Sequence, residues 1–108
     1  VSGFVVIIPA DQREPIRSSE RDKQPEVQEL QDIVDGYIEV VPYWTTYDGK
    51  PCVAFCNEDG KQRALRPNRR ATSLWYEKLF EQGDDVGGDF LVGDVVLLVN
   101  LPDPPEEE

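Results

Sequence analysis

There is no histidine in these 108 residues, no methionine, and only two cysteines. Without histidine the chain lacks the usual neutral-pH general base, the partner of the serine and cysteine triads, and the commonest metal ligand. Two cysteines do not complete a four-ligand zinc site in one chain unless carboxylates join them, and they are too few for a disulfide scaffold. Cys52 and Cys56 stand four positions apart. On one extended strand that puts both thiols on the same face about 13 Å from each other, beyond bridging distance. They read as buried or half-buried thiols of a reducing compartment, and the expected location is cytoplasmic.

Long apolar runs are missing too. The stretch Phe4–Ile8 is short and is followed at once by Pro9 and charges, so it reads as a strand and neither a signal peptide nor a membrane span. No phosphate-cradling loop occurs, because Gly83 to Gly88 lacks the lysine and hydroxyl of a nucleotide site. Asp84, Asp85 and Asp89 among glycines offer oxygen ligands, but not at the spacing of the twelve-residue calcium loop. Glycoside hydrolysis would need two positioned acids and the walls of a cleft, for which the chain leaves little. These absences point away from an enzyme, and no cofactor or metal is expected.

What the chain has in excess is acid. Twenty-two Asp and Glu against eleven Lys and Arg give a formal charge of −11. Such a charge favours solubility and disfavours long nucleic acid and anionic membranes as partners. It leaves three readings open: solubility, as in a salt-adapted host; a surface for a basic protein, including imitation of nucleic-acid phosphates; or a role not assigned by charge. Lys61, Arg63, Arg66, Arg69 and Arg70 fall within ten residues that hold no acid, so the other 98 residues carry six bases and 22 acids.

The hydrophobic pattern predicts a single α/β (α+β) domain over residues 1–100: a small mixed or antiparallel sheet of four to five strands with two helices. Phe4–Ile8 and Val95–Val99, apolar without alternation, predict strands buried on both faces that lie side by side. Residues 10–24 are polar and predict a flexible loop. A helix should start near Pro25 and carry Val27, Leu30 and Val34 inward, with Gly36 as its stop. Its acids at both ends are unfavourable near the C-terminus, unless a basic partner meets them. Tyr37–Tyr43 and Cys52–Cys56 predict strands joined through the Asp48–Gly49 turn, with a short third strand at Gln62–Leu65. Asn68 predicts the N-cap of a second helix that turns Ala71, Leu74, Trp75 and Leu79 inward. Residues 101–108, with three prolines and an acidic end, predict an extended tail.

Two candidate sites follow. Lys61, Arg63, Arg66, Asn68, Arg69 and Arg70 form the first, for an anion or a protein partner. Arginine pairs bidentately with phosphate or carboxylate, and the helix start at Asn68 adds N–H groups. Arg69 and Arg70 in a first helical turn oppose the helix dipole, which marks them either for function or for acids elsewhere on the chain. Tyr43, Trp44 and Tyr47 form the second, an interface, because three large aromatics beside a turn cannot all be core.

Leu30–Val41 (LQDIVDGYIEVV), Cys56–Thr72 (CNEDGKQRALRPNRRAT) and Val92–Val96 (VGDVV) resemble a small family from phages, plasmids and other mobile elements that is known only as a domain of unknown function. The resemblance rests on the helix–Gly–Tyr–strand junction and on the Asn-Glu-x-Gly-Lys turn with the Asn68-Arg69 and Ala71-Thr72 pairs. It marks Gly36, Tyr37, Asn57, Glu58, Gly60, Lys61, Asn68, Arg69 and Thr72 as family positions, lends no catalytic mechanism, and implies an interaction with a host protein. The expectation is a non-catalytic accessory module that binds a protein partner or a second copy of itself. The alternatives are a small-anion or nucleotide-phosphate binder using Lys61–Arg70, or an acidic nucleic-acid mimic.

Overall fold

A computed structural model describes residues 3–84 and 87–101. Residues 102–108 of the tail predicted over 101–108, and Asp85, lie outside the described residues. Six strands and two helices follow in the order β1 (Gly3–Ile8), β2 (Arg17–Arg21), α1 (Val27–Val34), β3 (Ile38–Val40), β4 (Thr46–Tyr47), β5 (Lys50–Asn57), α2 (Arg69–Gln82) and β6 (Val95–Val99). The strands lie in the order β2-β1-β6-β5-β3, with β4 on β5, and every pairing is antiparallel.

The apolar runs of β1 and β6 pair with each other as expected, Val6 opposite Leu97. Both are apolar throughout because each face of the sheet is covered. Val6, Ile8, Cys52, Ala54, Cys56, Val95, Leu97 and Val99 face α2 through Ala71, Trp75 and Leu79. Val5, Phe55, Val96 and Leu98 face α1 through Leu30 and Val34. Fully burying each aliphatic side chain of this kind stabilises by about 1.5–3 kcal/mol. Both thiols share the α2 face and remain free, as their spacing requires. Desolvation pushes Cys52 up to about 11, against the nearby Lys78 charge, and Cys56 up to about 11, where Glu39 adds to the rise and Lys61 opposes it.

Three expectations need correction. The polar stretch 10–24 is not all loop, because Arg17–Arg21 pairs with β1 from Ile7 to Gly3. Its serines and charges carry no apolar period. Backbone pairing alone makes it a strand, and at a sheet edge those side chains discourage further pairing. Gln62–Leu65 is no strand but a run of turns, in which Ala64 takes a left-handed φ of 53°. The first helix begins at Val27 with Glu26 as N-cap, so Pro25 precedes it, and Asp35 rather than Gly36 is the left-handed C-cap residue, with φ 61°.

Between β3 and β4 the chain leaves the sheet. Val41 N–H donates to the Ala54 carbonyl and Cys52 N–H to that of Thr45, each at 2.8 Å, so Pro42, Tyr43 and Trp44 bulge out opposite Val53. Asp48 and Gly49, with φ of 53° and 74°, then make the tight turn into β5. Positive φ at both central residues is what a two-residue hairpin needs, hence Asp-Gly.

Candidate functional site

Asn57 ends β5, and its side-chain amide donates to the carbonyls of Val34 (2.9 Å) and Asp35 (3.0 Å) at the end of α1. Its oxygen accepts from Asp59 N–H at 2.8 Å, which starts the turn over 57–60. Gly60 packs so closely that an added Cβ would lie 2.6 Å from Val92 Cγ2. Asn68 is buried and works in three directions. Its oxygen caps α2 by accepting from Ala71 N–H (3.0 Å), while its amide donates to Ile8 (2.8 Å) and Gly93 (2.9 Å) carbonyls. Thr72 Oγ1 accepts from Leu91 N–H at 3.0 Å, and Tyr76 OH donates to the Asp89 carbonyl. The segment 89–93 is thereby tied to α2 and to the 57–60 turn.

These ties frame a cleft of about 240 Å³ at the β3 edge. Its apolar lining is Val41, Cys56, Trp75, Phe90, Leu91 and Val92, and its charged lining is Glu39, Glu58, Lys61 and Asp89. Trp75 is fixed there by donating Nε1–H to the Pro42 carbonyl at 2.7 Å. Lys61 pairs with the Asp89 carboxylate and places its ammonium 4.7 Å from the centroid of the Phe90 ring. Glu39 and Glu58 are exposed and have no cation within pairing distance among the described residues. Among the described residues no group of three or more His, Cys, Asp or Glu is placed to hold a metal ion. No helix among them is long and apolar enough to cross a membrane.

The basic segment, continuous in sequence, is dispersed in space. Lys61 goes to Asp89, and Arg63 crosses to α1, where it meets the Asp35 carboxylate at 3.0 Å and the Asp35 carbonyl. Arg63 thus supplies the positive charge that the C-terminus of α1 lacks in its own last turn. Arg66 pairs with Asp11 at 3.5 Å. Arg70 donates to the carbonyls of Pro9 (2.7 Å) and Asp11 (3.1 Å), and Asn68 serves as a structural pin. Arg69 alone of the six is exposed with no charged partner among the described residues. The six do not converge on one anion.

The aromatic candidates separate as well. Trp44 is 2% exposed and belongs to the core, so it cannot form an open interface. Its Nε1–H finds no hydrogen-bond partner among the described residues. Tyr47 is half-buried against the same core, while Tyr43 is 47% exposed with a left-handed φ of 68°, its carbonyl accepting from Gln82 Nε2 at 2.8 Å. Sequence reasoning missed Glu39, Asp89 and Phe90. Glu39 and the adjacent pair Asp89–Phe90 lie on two separate stretches, and only the fold brings them around Lys61.

The stretches that carry the family resemblance touch one another, Gly36 against Asn57, Gly60 against Val92 and Asn68 against Gly93, and Asn57, Gly60 and Val92 line the cleft. A family profile described as a domain of unknown function, DUF3846, matches residues 4–105. The chain belongs to that family. No curated protein and no solved structure matches it. Most of the positions that the resemblance marks have a structural task here. Gly36, Asn57, Gly60, Asn68 and Thr72 hold the junctions, whereas Glu58, Lys61 and Arg69 present charge at the surface.

Proposed function

We propose that this DUF3846 domain is a non-catalytic protein-binding module whose contact surface is the cleft and the β3 edge beside it. One observation carries the reading: an apolar-floored cleft with unpaired carboxylates sits among exposed apolar side chains. Phe90, 44% exposed, lines it. Tyr43 (47%) follows the lining residue Pro42 in the chain, and Tyr37 (60%) precedes β3. An apolar centre with aromatic side chains and a polar rim is the composition of protein interfaces. The setting is that of an accessory protein of a mobile element, and the partner is a host protein.

Affinity capture from the cognate host lysate tests this. The wild-type domain should retain one stoichiometric protein that a Glu39→Gln/Glu58→Gln variant retains poorly and an Arg69→Ser variant retains fully. Capture of nothing, or loss only with Arg69→Ser, contradicts the reading. Recovery of the domain itself would make the partner a second copy.

A further inference from the structure

We infer that the cleft is a receptor for a basic side chain, lysine or arginine, of a protein partner, and that Lys61 occupies it in the free domain as an internal substitute. The inference rests on the protein-binding reading above and deepens it.

The argument starts from where the Lys61 ammonium sits. It lies over the Phe90 ring, 4.7 Å from the centroid, and against the Asp89 carboxylate. An aromatic face plus a carboxylate is the pair of contacts by which proteins hold an alkylammonium or guanidinium group. Both contacts are held by the fold. Asp89 Oδ1 accepts from Phe90 N–H at 2.8 Å, and its carbonyl is fixed by Tyr76.

One cation does not exhaust the site. Glu39 and Glu58 line the same cleft without cations of their own among the described residues, so there Lys61 leaves two of the three lining carboxylates unmatched. The apolar part of the lining, with Val41, Trp75 and Leu91, suits the methylene stem of a long basic side chain. The domain's charge of −11 would steer a basic segment toward it. An incoming lysine or arginine displaces Lys61 from Phe90 and Asp89, and the released Lys61 is free to turn to solvent because it is already half-exposed.

The test is a titration of the ¹⁵N-labelled domain with the blocked tripeptides Ac-Gly-Lys-Gly-NH₂ and Ac-Gly-Arg-Gly-NH₂. The Nε-acetyl-lysine form is the control. Amide shifts should be confined to residues 60–62 and 89–92 and be absent with the acetylated peptide. Lys61→Met should bind roughly two- to five-fold tighter, the size of an exposed cation–π contact released to the ligand. Adding Phe90→Leu should remove that gain. The amide spectrum reports whether each variant is folded, and Lys61→Gln serves if Lys61→Met is not. Equal shifts with the acetylated peptide, shifts scattered over the surface, or Lys61→Met binding no tighter than wild type would overturn the inference. A negative titration beside a successful capture sensitive to Glu39 and Glu58 would sink this inference alone and leave the protein-binding reading standing.

Discussion

Asn57 and Gly36 fit so closely that a Cβ on Gly36 would stand 2.6 Å from the Asn57 amide nitrogen. That nitrogen holds the last carbonyls of α1, so the glycine lets β5 and α1 join. Gly36→Ala should push the amide away, leaving the Val34 carbonyl short of a donor and the Asp35 carbonyl with Arg63 alone. The expected loss is about 1–3 kcal/mol of unfolding free energy, read from urea denaturation. A midpoint within error of wild type would show that the junction yields at no cost.

At Asn68, capping and bridging can be separated. Asn68→Asp keeps the oxygen that caps α2 but loses the amide donated to Ile8 and Gly93 and brings a carboxylate to two buried carbonyls. It should therefore destabilise at least as much as Asn68→Ala, which loses the cap as well, at about 1 kcal/mol for the cap alone. If Asn68→Asp is the milder change in thermal unfolding, the cap dominates and the bridge is minor.

The adjacent arginines should behave oppositely. Arg70→Ser removes the donor to the Pro9 and Asp11 carbonyls at the end of β1 and should lower stability by about 1–2 kcal/mol. Arg69→Ser should leave the melting temperature unchanged, since Arg69 is exposed and has no charged partner among the described residues. Equal effects from the two would contradict this placement.

The thiols give a pH dependence of definite sign. Both are raised from 9.0 to about 11 by burial, so between those values the unfolded chain loses protons that the folded chain keeps. Stability should fall as pH rises through that window, and less steeply in a Cys52→Ala/Cys56→Ala variant. Near neutral pH a disulfide-exchange reagent should find both thiols slow to react until the domain unfolds.

Much of this fold is legible in the sequence, and the reasons are local. The unbroken apolar runs of β1 and β6, Asp48–Gly49 and the Asn68 cap each carry their own signal. Strand β2 carries none, because Arg-Ser-Ser-Glu-Arg is set by what it pairs with. The site was less legible. Five basic residues in ten suggest one surface, but the turns over 60–66 send Lys61, Arg63 and Arg66 to Asp89, Asp35 and Asp11 in different directions. Trp44 looks like its neighbours Tyr43 and Tyr47 until the bulge after Val41 turns it inward. The cleft itself depends on residues far apart in the chain, which no local pattern announces.

The most direct test of the cleft as the contact surface is site-specific photo-crosslinking in the cognate host lysate. Benzoylphenylalanine replaces Phe90 in one preparation and Ile16, on the distant loop before β2, in another. The account predicts one protein adduct from position 90 and none from position 16. An adduct from position 16 alone, or equal labelling from both, would place the contact elsewhere and contradict it.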